Sequence, residues 1–168
     1  MTVLAGDPIY ASDINSLLTG AANVVQWVDG VTYTADSATW TTTESAALMS
    51  ITVPVVTGRT YRIDLTCHVS TTVQTFAITS ANLEQAIVRI REDTAAGTQL
   101  IGDQLPLGQV TSLGFKLTTH AWYTAVTTGN KTFCVTGQKP AAQSGGNQQF
   151  RAGATRPGML SVYQVKGV

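Results

Sequence analysis

Charge is scarce in this chain. Charged side chains make up 12% of its 168 residues, about half the usual share. Lys plus Arg and Asp plus Glu stand at 10 each, so no basic excess is available for a nucleic-acid backbone. Long apolar runs are missing too. No stretch approaches the ~18 consecutive apolar residues of a membrane-spanning helix. The opening MTVLAGDPIY has no basic start and no apolar block, so no secretory signal is expected and synthesis in a cytoplasm follows. The two cysteines, Cys67 and Cys134, are too few for a disulfide scaffold. Their strand phases also differ. Cys67 alternates with Tyr61, Ile63, Leu65 and Val69, whereas Cys134 is out of phase with Phe133 and Val135. Both are expected to be reduced thiols.

Catalytic groupings are equally sparse. His68 and His120 are the two histidines, and both fall at outward positions of alternating segments. Cys67 and His68 are adjacent, so on a strand they point to opposite faces and do not share a metal. There is no phosphate-binding loop, no dinucleotide glycine pattern and no Gly-x-Ser-x-Gly. Glu92 and Asp93 stand together before Gly97 and read as the start of a hairpin loop. A glycosidase's two carboxylates can lie far apart in sequence, but nothing in the spacing of these ten acids singles out a pair. The expectation is a chain that is not an enzyme and needs no cofactor or metal.

Threonine and alternation dominate what is present. In RTYRIDLTCHV the odd positions Tyr61 to Val69 are apolar and the even positions Thr60 to His68 are polar, the period of a half-buried strand. ALMSITV precedes it as a strand, and PVVTGRT is the turn between them, with Gly58 free to take a positive φ. AIVRIRED places Val88 and Ile90 inward and Arg89 and Arg91 outward. TAAGTQL turns the chain, with Gly97 as the expected left-handed residue. SLGFKLTTHAWYTAV alternates again, and Gly129-Asn130 reads as a hairpin turn into the partner strand KTFCVTGQ. AAQSGGNQQ is a loop. GMLSVYQV closes the chain as a strand that Pro157 keeps from starting earlier. Weaker strands surround Tyr33 and Trp40, and TTVQTFAITSANLEQ reads as a strand and loop or as a short helix near its end. About eight to ten strands with Gly-containing turns predict an all-β antiparallel β-sandwich.

The N-terminus differs. Ser12 is a helix cap, Asp13 sits in the favourable first turn, and Ile14, Leu17 and Leu18 share one face before Gly20. Two turns are too short to stand alone in water. The reading is an arm over residues 1–30, with a short helix over about 12–18, followed by a sandwich over 31–168.

AGDPIYASDINSL, carried by Gly6, Asp7, Pro8, Ile9, Tyr10, Ala11, Asp13, Ile14, Asn15 and Leu17, resembles the N-terminal segments of structural proteins from tailed bacteriophages of actinobacteria. VTGRTYRIDL and GMLSVYQVKG are similar to strands in such proteins. The resemblance implies a jelly-roll or tumour-necrosis-factor-like sandwich, frequently trimeric on the virion. It implies a capsid decoration protein whose arm (Asp7, Pro8, Ile9, Tyr10, Asp13, Ile14, Leu17, Leu18) docks on the major capsid protein or another virion protein. The alternative is a minor tail or tail-tip protein that binds a host-surface glycan. Trp122 and Tyr123 are the candidates for a subunit contact or a glycan contact. A trimer would also bury outward apolar residues, for which Trp122, Leu160 and Val162 are read.

Overall fold

The structure is a computed structural model that describes residues 25–71, 85–106, 115–141 and 146–165. The N-terminal arm, including Asp7, Pro8, Ile9, Tyr10, Asp13, Ile14, Leu17 and Leu18, lies outside the described residues, as does most of the ambiguous stretch at 72–84. The strands are β1 (Val25–Tyr33), β2 (Met49–Val55), β3 (Thr60–Thr71), β4 (Gln85–Glu92), β5 (Gln99–Pro106), β6 (Phe115–Thr124), β7 (Gly129–Gln138), β8 (Gln148–Arg151) and β9 (Gly158–Val165). Among the described residues no helix is long and apolar enough to cross a membrane.

The strands form two antiparallel sheets. One has the order β1-β9-β3-β6, with β8 also paired to β3, and the other has the order β2-β7-β4-β5. β8 and β9 run along the same edge of β3. β9 covers Thr60 to Thr66 and β8 covers His68 to Thr71, so the two are one strand interrupted where residues 152–157 loop out. With that join, the pairs β4–β5, β3–β6, β2–β7 and β1–β9 nest inside one another. A long ribbon folded back on itself and rolled into two sheets is a jelly roll.

Alternation builds the core. The inward residues Tyr61, Ile63, Leu65, Cys67 and Val69 of β3 meet Ile51 and Val53 of β2, Val88 and Ile90 of β4, and Phe133 and Val135 of β7 in one cluster. Leu160 and Val162 belong to it as well, which corrects their outward assignment. β9 is apolar on both phases, and Met159 and Tyr163 are the large apolar residues of its outward phase between Gly158 and Gln164. β1 begins at Val25, upstream of the boundary expected at residue 31, because Val25 to Tyr33 pairs with β9.

The Gly129-Asn130 hairpin does not form. β6 pairs with β3 and β7 pairs with β2 and β4, so residues 125–128 carry the chain from one sheet to the other. The β2–β3 connection crosses beside it. Gly58 N donates to Ala125 O at 2.7 Å, Ala125 N to Arg59 O at 2.9 Å, and Thr57 N to Thr128 Oγ1 at 3.0 Å. Gly58 takes φ 78°, as expected of a glycine in such a turn. β4 and β5 do form a true hairpin, but its left-handed residue is Asp93 at φ 60°, not Gly97. Glycine is required at 97 for space, since a Cβ there would overlap the Glu92 carbonyl oxygen.

Trp40 plugs the opposite end of the sandwich. Its main chain bridges Gln148, its indole Nε1 donates to Gln148 Oε1 at 3.0 Å, and its ring meets Phe150 edge-on at 4.9 Å. A Cβ on Gly137 would come within 2.6 Å of that ring, so the missing side chain is what admits the indole.

Candidate functional site

The outer face of the β1-β9-β3-β6 sheet carries the even positions of β3 and β6 and the odd positions of β9. Threonines occupy much of it, as the alternation requires. One transverse row is different. Trp27 pairs in register with Tyr163, Tyr163 with Arg62, and Arg62 with Trp122. Four neighbouring strands therefore place two tryptophans, a tyrosine and an arginine side by side. Trp27 and Trp122 are each 52% exposed, far more than buried aromatic rings are.

Each member is positioned by its surroundings. The β1 register shifts between Trp27 and Asp29, and Gly30 follows. A Cβ on Gly30 would overlap Cη2 of Trp27 and lie 2.7 Å from its Cζ2, so the indole lies down over the glycine. Tyr163 meets Trp27 edge-on, with centroids 5.3 Å apart. The Arg62 guanidinium lies 5.1 Å from the Tyr163 ring centre and is held by Asp64 at 2.8 Å. His120, two residues from Trp122 on the same face, meets it edge-on at 5.8 Å. The adjoining row along the sheet is Gly30, Ser161, Asp64 and His120, and the row on the other side is Val25, Val165, Thr60 and Thr124.

The structure divides Trp122 from Tyr123. Trp122 is outside, whereas Tyr123 is 7% exposed and packs inside against Phe133 at 5.3 Å. Tyr123 is thereby corrected to a core residue; its ring cannot reach a glycan or a second subunit from there. Trp27 and Tyr163 were not singled out in the sequence, because strands distant along the chain supply the row. The one local trace is a glycine three positions after Trp27.

Other polar groups do structural work. Glu44, from the β1–β2 connection, receives Arg91 Nε at 2.7 Å and Nη2 at 2.8 Å, and accepts a hydrogen bond from Thr136. Burial pushes its pKa up, but the bonds from Arg91 and Thr136 and the charges of Arg89 and Arg91 hold it below the usual value. These contacts strap residues 41–48 over β7 and β4. Lys131 joins Glu92 and Asp93, both at 2.8 Å. His68 faces outward with its pKa lowered, first by burial and then by Arg156 and Lys116. Burial raises the Cys67 thiol to about 12, and Cys134 is a free, buried cysteine too. Among the described residues no three His, Cys, Asp or Glu side chains are placed to hold a metal ion. A recess of about 200 Å³ beside Arg151 and Arg156 already contains Asp36, which pairs with Arg151 at 3.5 Å.

The fold and this outer face define a jelly-roll β-sandwich with an exposed aromatic row. No family model matches the chain, and no curated protein matches it in sequence. Solved structures resemble it distantly. The VP2 subviral particle of infectious bursal disease virus matches at TM-score 0.42 and 14% identity, over 82% of this chain and 36% of that one. An α-L-arabinofuranosidase in its arabinose-bound form matches at TM-score 0.35 and 13% identity, over 95% of this chain and 25% of that one. A carbohydrate-binding module, CBM4, matches at TM-score 0.26 and 15% identity, over 86% of this chain and 92% of that one. The chain thus spans little more than a third of the VP2 capsid protein's length. At these identities the likeness is one of β-sandwich architecture.

Proposed function

We propose that the protein is a non-enzymatic structural component of a tailed-bacteriophage virion, of the capsid decoration type. The segment from Ala5 to Leu18 docks on the major capsid protein or another virion protein, and the jelly roll is displayed beyond it as a homotrimer. The observation that carries this reading is how the segment joins the fold. It is continuous with β1, which among the described residues pairs with β9 only and so forms the border of its sheet. Its stripe of Ile14, Leu17 and Leu18 is too short for a self-supporting helix and suits a groove on another protein. Three weak attachments acting together raise the effective affinity without new contacts. The resemblance of AGDPIYASDINSL to phage virion segments supports the same assignment.

Deleting residues 1–20 tests it. The truncated protein is expected to keep its β-sheet circular dichroism and melting temperature and to lose co-sedimentation with phage particles. Unchanged particle occupancy overturns the docking role, and a monomer by light scattering overturns the trimer. A second reading, a minor tail or tail-tip protein that binds a host-surface glycan, is favoured by the exposed Trp27 and Trp122.

A further inference from the structure

We infer that the row Trp27–Tyr163–Arg62–Trp122 binds an extended, neutral, β-linked oligosaccharide of hexose or N-acetylhexosamine units. The inference does not depend on which virion protein the N-terminal segment meets.

Three features of the row specify a sugar chain. The first is its dimensions. Four strands at ~4.8 Å spacing span roughly 14 Å, the length of about three pyranose units in an extended chain. The next row along the sheet holds Val25 and Val165 in line with Thr60 and Thr124, with Val25 exposed. The second is the arrangement of chemistry across the strip. The exposed indoles of Trp27 and Trp122 stand at the two ends, with Tyr163, edge-on to Trp27, and Arg62 between them, while Asp64 and His120 lie along one side and Thr60 and Thr124 along the other. A pyranose has the complementary pattern: C–H groups on its face to lie on a ring, and hydroxyls around its rim to exchange hydrogen bonds. The third is charge. Arg62 is the row's only cation and is already joined to Asp64 at 2.8 Å. A polyanion would find no surplus positive charge there, so the ligand is neutral.

The row is also set in place before a ligand arrives. Trp27 rests over Gly30, where a Cβ would collide with it, and Tyr163 abuts its edge at 5.3 Å. Arg62 is fixed between Asp64 and the Tyr163 ring. Rings that are already ordered lose little freedom on binding. Gly30 is thus a positioning residue that acts through Trp27.

The experiment titrates full-length protein with cellotetraose and chitotetraose, with maltotetraose as the curved, α-linked control. Calorimetry and tryptophan fluorescence provide the readouts. Saturable binding of a β-linked tetrasaccharide with a change in indole emission is expected, and weaker binding of maltotetraose. Trp27→Ala and Trp122→Ala should each weaken binding about tenfold or more, with melting temperature and oligomeric state unchanged. Gly30→Ala should weaken it similarly although both tryptophans remain. Trp27→Ala and Trp122→Ala should still occupy phage particles, which separates a failure here from a failure of the docking proposal. Absence of saturable binding to either β-linked tetrasaccharide overturns the inference. So does wild-type affinity in both tryptophan variants. Conversion of an oligomer to a monomer by Trp122→Ala also overturns it, by showing that the row is a contact between copies.

Discussion

Replacing Trp40 by Phe removes one hydrogen-bond donor and part of an indole from the plugged end of the sandwich. Two costs combine. Gln148 is fully buried and its Oε1 accepts the indole N–H at 3.0 Å. Its Nε2 is committed to the Gln85 carbonyl at 2.7 Å, so the amide cannot turn to find another donor. An orphaned buried acceptor costs about 1–3 kcal/mol. The lost ring atoms leave space over Gly137, which has no side chain to fill it. Deleting a whole buried aromatic costs ~3–5 kcal/mol, and a partial loss about a third of that. The sum is ~2–5 kcal/mol, read as a lower urea midpoint at unchanged slope. Gln148→Leu in both backgrounds completes a double-mutant cycle. The donor stranded by Gln148→Leu alone is already gone in the double variant, so the two changes should couple by ~1 kcal/mol or more. The native fluorescence should also shift to the red, because Trp27 and Trp122 are both half-exposed and Trp40 supplies the buried emission. A loss under ~1 kcal/mol together with strict additivity would refute the idea that this hydrogen bond closes the end of the core.

Three further substitutions test the strap and the hairpin. Glu44 has a folded pKa below its ordinary 4.5, so its contribution is present above that value and is lost as pH falls through the lower folded one. Glu44→Gln is expected to cost ~1–3 kcal/mol at neutral pH and to flatten the acid side of the melting-temperature profile; an unaltered acid slope would contradict the strap. In the β4–β5 hairpin, Gly97→Ala should cost ~1–3 kcal/mol because its Cβ meets the Glu92 carbonyl. Asp93→Gly should stay within ~1 kcal/mol of wild type, since relief of the positive φ offsets an exposed ion pair. Chemical denaturation of both variants decides the matter, and an Asp93→Gly loss equal to or larger than that of Gly97→Ala counts against it.

Several parts of this fold were legible in the sequence for plain physical reasons. β3 alternates without a break from Thr60 to Val69 because one face is buried and the other is wet, and the structure follows it residue by residue. Arg89 and Arg91 fall outward beside Val88 and Ile90 for the same reason. Pairing partners were harder to read. Gly129-Asn130 opens β7 directly after the short connection at 125–128, and a corner between sheets uses the same residue types as a hairpin. β9 offered apolar residues on both phases, so composition could not choose between Leu160 with Val162 and Met159 with Tyr163. Gly97 announced a turn correctly but for a different cause, close packing rather than left-handed backbone. The aromatic row was hidden because register is a three-dimensional property. Trp27 and Tyr163 become neighbours through the β1–β9 pairing alone, and nothing near either residue in the chain announces the other.

The nesting of strand pairs has a kinetic consequence. Closing a loop costs more entropy the longer it is, and β4 with β5 closes the shortest. Once they pair, β3 and β6 are brought together at a smaller cost, then β2 and β7, and finally β1 and β9. Folding in this order leaves the outermost pair until last, and that pair joins Trp27 to Tyr163. Half of the aromatic row therefore comes into existence only at the final step, and the same half is the first to part when the border of the sheet opens.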